Sequence, residues 1–331
     1  MQLTDYKGKN VLITGGLGFI GSNLAIRLVE LGAHVLLMDA MLPGYGGNLF
    51  NIAPVKDDVA INYADIRDEH VMNYLVRDRD YIFHLAAQVS HVKSLSDPFP
   101  DIDINIRGTA ILLEACKKQN RDAVVVRTGT RGQYGKVGAV PVHEETPMNP
   151  RGIYEISQLS AEQITKIYND IHGIRCVMLR LTNIYGPRAQ MRSPDFGVVN
   201  WFVRQAVDHE PIQVFGDGKI KRDFLYVEDC VEVILLAASR EKCFGNIFNV
   251  GNDSPSDFLE LAERLTRLEK GASWEFAPFT PERAAQEPGD FCSDITKIKS
   301  YTGWQPKVSL EEGLRRTLDY YKQNRHHYWN D

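Results

Sequence analysis

The segment Lys9–Asp39 constrains the fold more than any other stretch of the chain. Lys9–Thr14 (KNVLIT) is a short apolar run of the kind that forms a parallel strand buried on both faces. Thr14-Gly15-Gly16-Leu17-Gly18-Phe19-Ile20-Gly21 follows, and then a helical apolar spacing through Leu24, Leu28 and Leu31 that Gly32 ends. His34–Met38 (HVLLM) reads as a second strand, with Asp39 at its end. Strand, turn, helix and strand make a βαβ unit of about 30 residues. Glycine in the turn supplies positive φ and lets backbone approach a phosphate with no Cβ in the way. Gly16, Gly18 and Gly21 fit one such spacing, G-x-G-x-x-G, and Gly15, Gly18 and Gly21 fit another, G-x-x-G-x-x-G. The second set is assigned to the pyrophosphate, at the helix N-terminus where free N–H groups and the positive dipole end lie. Phe19 and Ile20 fall inside the same loop. Asp39 stands 18 residues past Gly21. A carboxylate there accepts from a ribose 2′-OH and repels a 2′-phosphate, which predicts NAD rather than NADP.

The alternation continues. Val59–Tyr63 reads as a strand, Glu69–Arg77 as a helix, Tyr81–Leu85 as a strand, Asn105–Gln119 as a helix, Ala123–Arg127 as a strand, Tyr154–His172 as a long helix and Arg175–Arg180 as a strand. This predicts an α/β fold, a Rossmann-type doubly wound parallel sheet. After Asn183 the rhythm breaks into a Gly-, Pro- and Arg-rich loop. A helix (Val198–Asp208), strands at Ile212–Phe215 and Asp223–Val227, a helix (Glu228–Ser239), a strand (Asn246–Val250) and a final helix near Leu310–Gln323 follow. The expected division is a cofactor domain over 1–180, completed by about 228–252, and a smaller mixed α/β C-terminal substrate lobe over 181–227 and 253–331.

Composition sets the outer bounds. A chain of 331 residues, 44% hydrophobic and 24% charged, can bury a full core. A net charge of −5 with no basic stripe argues against nucleic acid as a partner. The start, MQLTDYKGKN, lacks a signal-peptide pattern, and no apolar run is long enough for a membrane span. The five cysteines form no C-x-x-C pair and the histidines show no metal spacing, so no metal site is expected. His326-His327, in the terminal RHHYWND, reads as solvated. The expected setting is the cytoplasm.

With these segments in place, the chain resembles the extended short-chain dehydrogenase/reductase family, in its branch of nucleotide-sugar epimerases and dehydratases. The resemblance rests on ITGGLGFIGSNL, HLAAQVS, Asn105-x-x-Gly108-Thr109, Tyr134-Gly135, Tyr185-Gly186-Pro187, Arg222-Asp223-Phe224-x-Tyr226-Val227-x-Asp229 and Phe248-Asn249-Val250-Gly251. It implies that Tyr154 takes a sugar hydroxyl proton as that carbon is oxidised by NAD, and that Thr130 orients the same oxygen. It implies cofactor contacts from Asp65 and Ile66 (adenine), Leu85, Ala86 and Ala87 (nicotinamide side) and Asn105. It implies a nucleotide-diphosphate sugar held by Asn183 and Arg222, with Phe215 against the base, and a homodimer built on the helices 105–119 and 154–172.

Three departures shape the functional expectation. The family has Tyr-x-x-x-Lys; this chain has Gln158 at the lysine position, one helical turn past Tyr154. Glutamine keeps a hydrogen bond to the nicotinamide ribose and loses the charge that lowers the tyrosine pKa, so NAD⁺ itself or another cation must support Tyr154. Lys166 lies too far along the helix to do so. Second, 4,6-dehydratases of the family carry Asp-Glu after the Thr and decarboxylases a Glu two residues after it; here those positions are Arg131 and Gly132. A 4-epimerase needs neither and is reached by elimination. Arg131 is either an anion contact or a surface residue. Third, Glu287 replaces a diphosphate-binding arginine, and a carboxylate there is expected to repel a diphosphate unless Arg283 or Arg188 compensates or the substrate differs from the usual UDP-sugar. The expected function is an NAD-dependent 4-epimerase. Another oxidoreductase of the family (a reductase or 4,6-dehydratase) and a non-catalytic NAD-binding member remain as alternatives.

Overall fold

The computed structural model describes residues 6–279 and 287–329. Its strands, in chain order, are β1 (Asn10–Thr14), β2 (His34–Met38), β3 (Val59–Asn62), β4 (Tyr81–His84), β5 (Val124–Thr130), β6 (Arg175–Leu181), β7 (Asn183–Tyr185), β8 (Ile212–Phe215), β9 (Lys221–Arg222), β10 (Phe224–Tyr226), β11 (Ile247–Val250), β12 (Ser256–Asp257) and β13 (Trp274–Ala277). Seven of them form one parallel sheet in the order β11-β6-β5-β4-β1-β2-β3. The sheet is doubly wound and Rossmann-like. The order reverses between β1 and β4, and at such a switch point the carboxyl ends of the strands open a crevice for a ligand.

Helices α1 (Phe19–Glu30), α2 (Glu69–Leu75), α3 (His91–Ser96), α4 (Gly108–Gln119), α5 (Ile153–His172), α6 (Val198–Asp208), α7 (Val227–Ala238) and α8 (Phe258–Leu268) connect these strands. Burial on both faces explains the unbroken apolar strands: Val124 and Val126 belong to the core on one face of the sheet, and Val125 to the core on the other. The α4 helix reaches further back than the sequence reading. A wide-turn segment, Asp101–Arg107, precedes it, so Asn105 lies inside a helical run and not at its start. Pro100, at the entry to that run, suits a helix start because the N–H it lacks has no partner there.

A second core gathers Tyr185, Phe202, Val214, Phe224, Leu261 and Leu314 on the far side of the crevice. The terminal tail is anchored in it. Tyr328 and Trp329 are buried there, while His327, itself exposed, stacks on Phe50 at 3.6 Å between centroids. Among the described residues, no helix is long and apolar enough to cross a membrane.

Candidate active site

The crevice is a cavity of about 980 Å³. Pockets for one small ligand span roughly 300–1,000 Å³, and this cavity lies at the top of that range. The Thr14 hydroxyl pins its floor, accepting from the backbone N–H groups of Leu85 and Ala86 at 3.2 Å each and pairing with His84 Nδ1 at 2.9 Å. This brings the turn after β1 so close to the turn after β4 that a Cβ on Gly15, at φ +70°, would lie 2.9 Å from Ala86 N. A Cβ on Gly21 would lie 2.2 Å from Gly15 O. Gly15, Gly18, Phe19, Ile20 and Gly21 line the cavity. Gly16 packs against Leu37 instead. The first-turn N–H groups of α1 have no carbonyl one turn back to bond, and this cradle, closed to any Cβ, fits a dinucleotide pyrophosphate.

Asp39 reaches the same cavity from the end of β2. Its Oδ2 accepts from Leu17 N (3.1 Å) and its Oδ1 from Met41 N (2.9 Å). Burial pushes its carboxyl up, and these two amides pull it back. Asp39→Asn keeps an acceptor for the turn and removes the charge. It is expected to narrow the preference for NAD over NADP by roughly tenfold or more, about 1.4 kcal/mol; a titration with each cofactor checks this. Asp65 and Ile66 also line the cavity, Asp65 held by Arg67 through a fork of 2.8 and 2.7 Å that lowers its pKa. Leu85, Ala86 and Ala87 line the cavity as well. Asn105 sits behind the wall. It exchanges hydrogen bonds with the Gln88 backbone (2.9 and 3.1 Å) and donates to Ser157 Oγ (2.9 Å), fastening the β4 loop to α5.

At the middle of the cavity, β5 ends in Thr130 and α5 begins beside it. The Thr130 hydroxyl accepts from Gly132 N at 3.1 Å and favours the ionised form of the Tyr154 phenol beside it. Tyr154, Gln158 and Glu162 repeat every four residues, so one buried stripe of α5 faces the sheet. Across from it stand two arginines. Arg180 of β6 is neutralised by Glu162 through bonds of 2.7 and 2.8 Å. Arg127 of β5 donates from Nη2 to Gln158 Oε1 at 2.7 Å, and no carboxylate among the described residues pairs with it. Its Nη1 lies behind Gly129 with no hydrogen-bond partner among the described residues. Burial pushes the Arg127 guanidinium down to about 10, which leaves it charged at neutral pH. A net positive charge is thus buried one residue behind Gln158. Burial raises the Tyr154 phenol and the Glu155 charge adds to this, while the Thr130 hydroxyl and the Arg127 charge act to lower it. Lys166, by contrast, is spent on an exposed pair with Asp170.

On the substrate side, Asn183, Arg222 and Phe215 all line the cavity, with Phe279 beside Phe215 (5.7 Å between centroids). Arg131 is no surface residue. Its Nε donates to Asn183 Oδ1 at 3.0 Å, it packs over the Phe291 ring, and burial together with Arg222 brings its guanidinium down to about 9. Glu287 does face the cavity, and it pairs with Arg222 Nη2, while Arg222 Nη1 donates to Gly289 O at 2.5 Å. The expected bare repulsion is therefore replaced by an ion pair that holds the Arg222 fork in place. Arg188 is turned away, donating to Asn51 O and Asn23 Oδ1 at 3.0 Å each. Arg283 lies outside the described residues.

The family model described as GDP-mannose 4,6-dehydratase matches residues 12–317. The chain belongs to this family. A relative named as a putative UDP-glucose 4-epimerase, from Methanocaldococcus jannaschii, is 32% identical over 95% of this chain and 99% of its own. A UDP-glucose 4-epimerase of Thermotoga maritima, solved with UDP-glucose, has a TM-score of 0.85 at 31% identity, over 95% of this chain and 99% of its own. That of Thermus thermophilus, solved with NAD, has a TM-score of 0.83 at 29% identity over the same shares. Other relatives are named as dTDP-glucose 4,6-dehydratase or UDP-glucuronic acid decarboxylase. The family is thus one of nucleotide-sugar epimerases and dehydratases, its cofactor is NAD, and the glycine cradle with Asp39 fits that cofactor.

The sequence reading missed Arg127, His91 and Glu155. Arg127 had a signal: a charged residue in the apolar run Val124-Val125-Val126-Arg127, which a buried strand tolerates only where something answers it.

Proposed function

We propose that this protein is an NAD-dependent nucleotide-sugar 4-epimerase whose catalytic tyrosine is supported by Arg127 acting through Gln158. The carrying observation is the Arg127–Gln158 bond, which puts a buried cation where glutamine alone leaves a gap. The glycine cradle and Asp39 would hold NAD, which would supply the hydride acceptor and donor for the sugar carbon. The chain does the rest. Tyr154 removes the O4 proton, and Thr130 holds that oxygen in line. Gln158 is oriented by Arg127 and keeps its amide toward the cofactor side. The Arg127 charge favours the tyrosinate. Arg222, Arg131 and Asn183 bind the diphosphate, a task suited to guanidinium forks, with Glu287 holding Arg222 in register. Phe215 and Phe279 take the nucleotide base. The sugar then turns and is reduced from its other face.

Purified protein offered a panel of UDP-, dTDP-, GDP- and CDP-sugars tests this. Equilibration of a 4-epimer pair with no added cofactor is expected. Stoichiometric consumption of NAD(P)H, or bound cofactor with no turnover, would refute it.

A homodimer built on α4 and α5 is part of the same reading. The outer face of α5 leaves Ile156, Ile167 and Ile171 exposed at 46, 49 and 71%, an apolar stripe opposite the catalytic one. Ile171→Glu is expected to convert dimer to monomer in sedimentation velocity. The five cysteines are free and buried, which suits a reducing compartment, and we place the protein in the cytoplasm.

A further inference from the structure

A carboxylate and an imidazole stand beside Tyr154 in the cavity wall, and proton removal from O4 by Tyr154 calls for neither. Glu155 is in the first turn of α5, and its side chain, 13% exposed, lines the cavity. It occupies the space over Gly132, where a Cβ would lie 3.0 Å from Glu155 Cγ. A first-turn acid also favours the helix dipole, and Glu155 bonds its own backbone N–H. That role does not account for Oε1, which pairs with His91 Nδ1 at 2.5 Å. His91 opens α3, packs edge-on against the Tyr154 ring at 4.7 Å between centroids, and is 50% exposed. A carboxylate facing the cavity is thus joined to an imidazole that reaches solvent.

We propose that Glu155 is a catalytic base for the sugar carbon adjacent to the transient C4 ketone, with His91 as its proton route to solvent. The proposal rests on the 4-keto reading above and extends it, because plain epimerisation at C4 needs no such base. A ketone acidifies the hydrogens on its neighbouring carbons. Glu155 takes one of them as the C–H bond breaks. The electron pair moves to the ketone oxygen, where the Thr130 hydroxyl, itself accepting from Gly132 N, donates to the enolate. A proton drawn from solvent through His91 returns to the carbon and restores the ketone, with no net oxidation. The surrounding charges suit a base. Burial raises the Glu155 carboxyl, but the His91 hydrogen bond and charge, with Arg131, outweigh it, and the balance lies below the usual value. The other carboxyl nearby, Asp101, is raised by burial to about 6 and is taken up by Gln88 Nε2 at 2.7 Å.

The test supplies the ketone directly, so that it does not depend on oxidation at C4. Holoprotein is incubated in deuterium oxide with UDP- or dTDP-4-keto-6-deoxyglucose, and NMR follows loss of the C3 and C5 proton signals against a protein-free control. Accelerated exchange is expected with the native protein. Tyr154→Phe, which abolishes oxidation at C4, is expected to retain exchange. Glu155→Gln, an isosteric change, is expected to lose it by about 100-fold or more, and His91→Ala by less, with thermal midpoints unchanged. No exchange with either ketone, or exchange that survives Glu155→Gln, overturns the proposal. Failure of the epimer panel alone overturns the 4-epimerase reading and leaves this result standing.

Discussion

Tyr154→Phe lowers kcat by about 100- to 10,000-fold, the usual worth of a positioned acid–base group, while bound NAD stays in place. The reason is geometric. The phenol and Thr130 line the same cavity as the glycine cradle and Arg222, and Thr130 favours its ionised form. Phenylalanine keeps the ring that packs against His91. Stability and cofactor binding should therefore change little, and stopped-flow absorbance of the bound nicotinamide on mixing with substrate should show no reduction. A variant that still reduces its cofactor at the native rate would remove Tyr154 from the mechanism.

Arg127→Met produces the second large effect, and its sign follows from charge. Arg127 favours the tyrosinate. Without it the Tyr154 pKa rises, so the limb of the pH–rate profile that climbs with deprotonation moves to higher pH. Opposite charges close to an acid shift it by about 1–3 units. Arg127 acts from behind Gln158, so a shift of about one unit and a loss of roughly tenfold near neutral pH are expected. Stability should respond weakly, because Gln158 Oε1 loses a donor while a buried, unpaired charge is removed, and these oppose. A merely structural Arg127 would instead lower the melting temperature and leave the profile where it was. Combining Arg127→Met with Gln158→Lys moves the cation from strand to helix and is expected to restore the native profile.

The sheet and the glycine loop were legible because local signals and tertiary demands coincide there. Apolar strands buried on both faces read as unbroken runs, and glycine marks the points where no Cβ fits. Gly16 against Gly15 was ambiguous, since both spacings scan, and only the approach of Ala86 and Leu37 separates them. Thr130, Tyr154, Gln158, Asn183 and Arg222 were readable by position along the chain, and the fold brings all five to one cavity. What stayed hidden were partnerships between residues distant in sequence. Arg127 meets Gln158 across 31 positions, His91 meets Glu155 across 64, and Arg222 meets Glu287 across 65. Taken singly, Gln158 looked like a loss and Glu287 like a repulsion. Each acquires a meaning only beside its partner. The resemblance implies a cofactor contact from Asn105, yet its amide is consumed in joining Gln88 to Ser157.

The central claim is that hydrogen leaves C4 of the sugar, stays within the site and returns to C4. A 4-epimer pair that the protein interconverts, with one member carrying deuterium at C4, tests it directly. The account predicts that mass spectrometry and NMR find the deuterium still on C4 of the opposite epimer, undiluted by solvent or by unlabelled NADH added to the solution. Deuterium released to water, or recovered in the free cofactor, would contradict it.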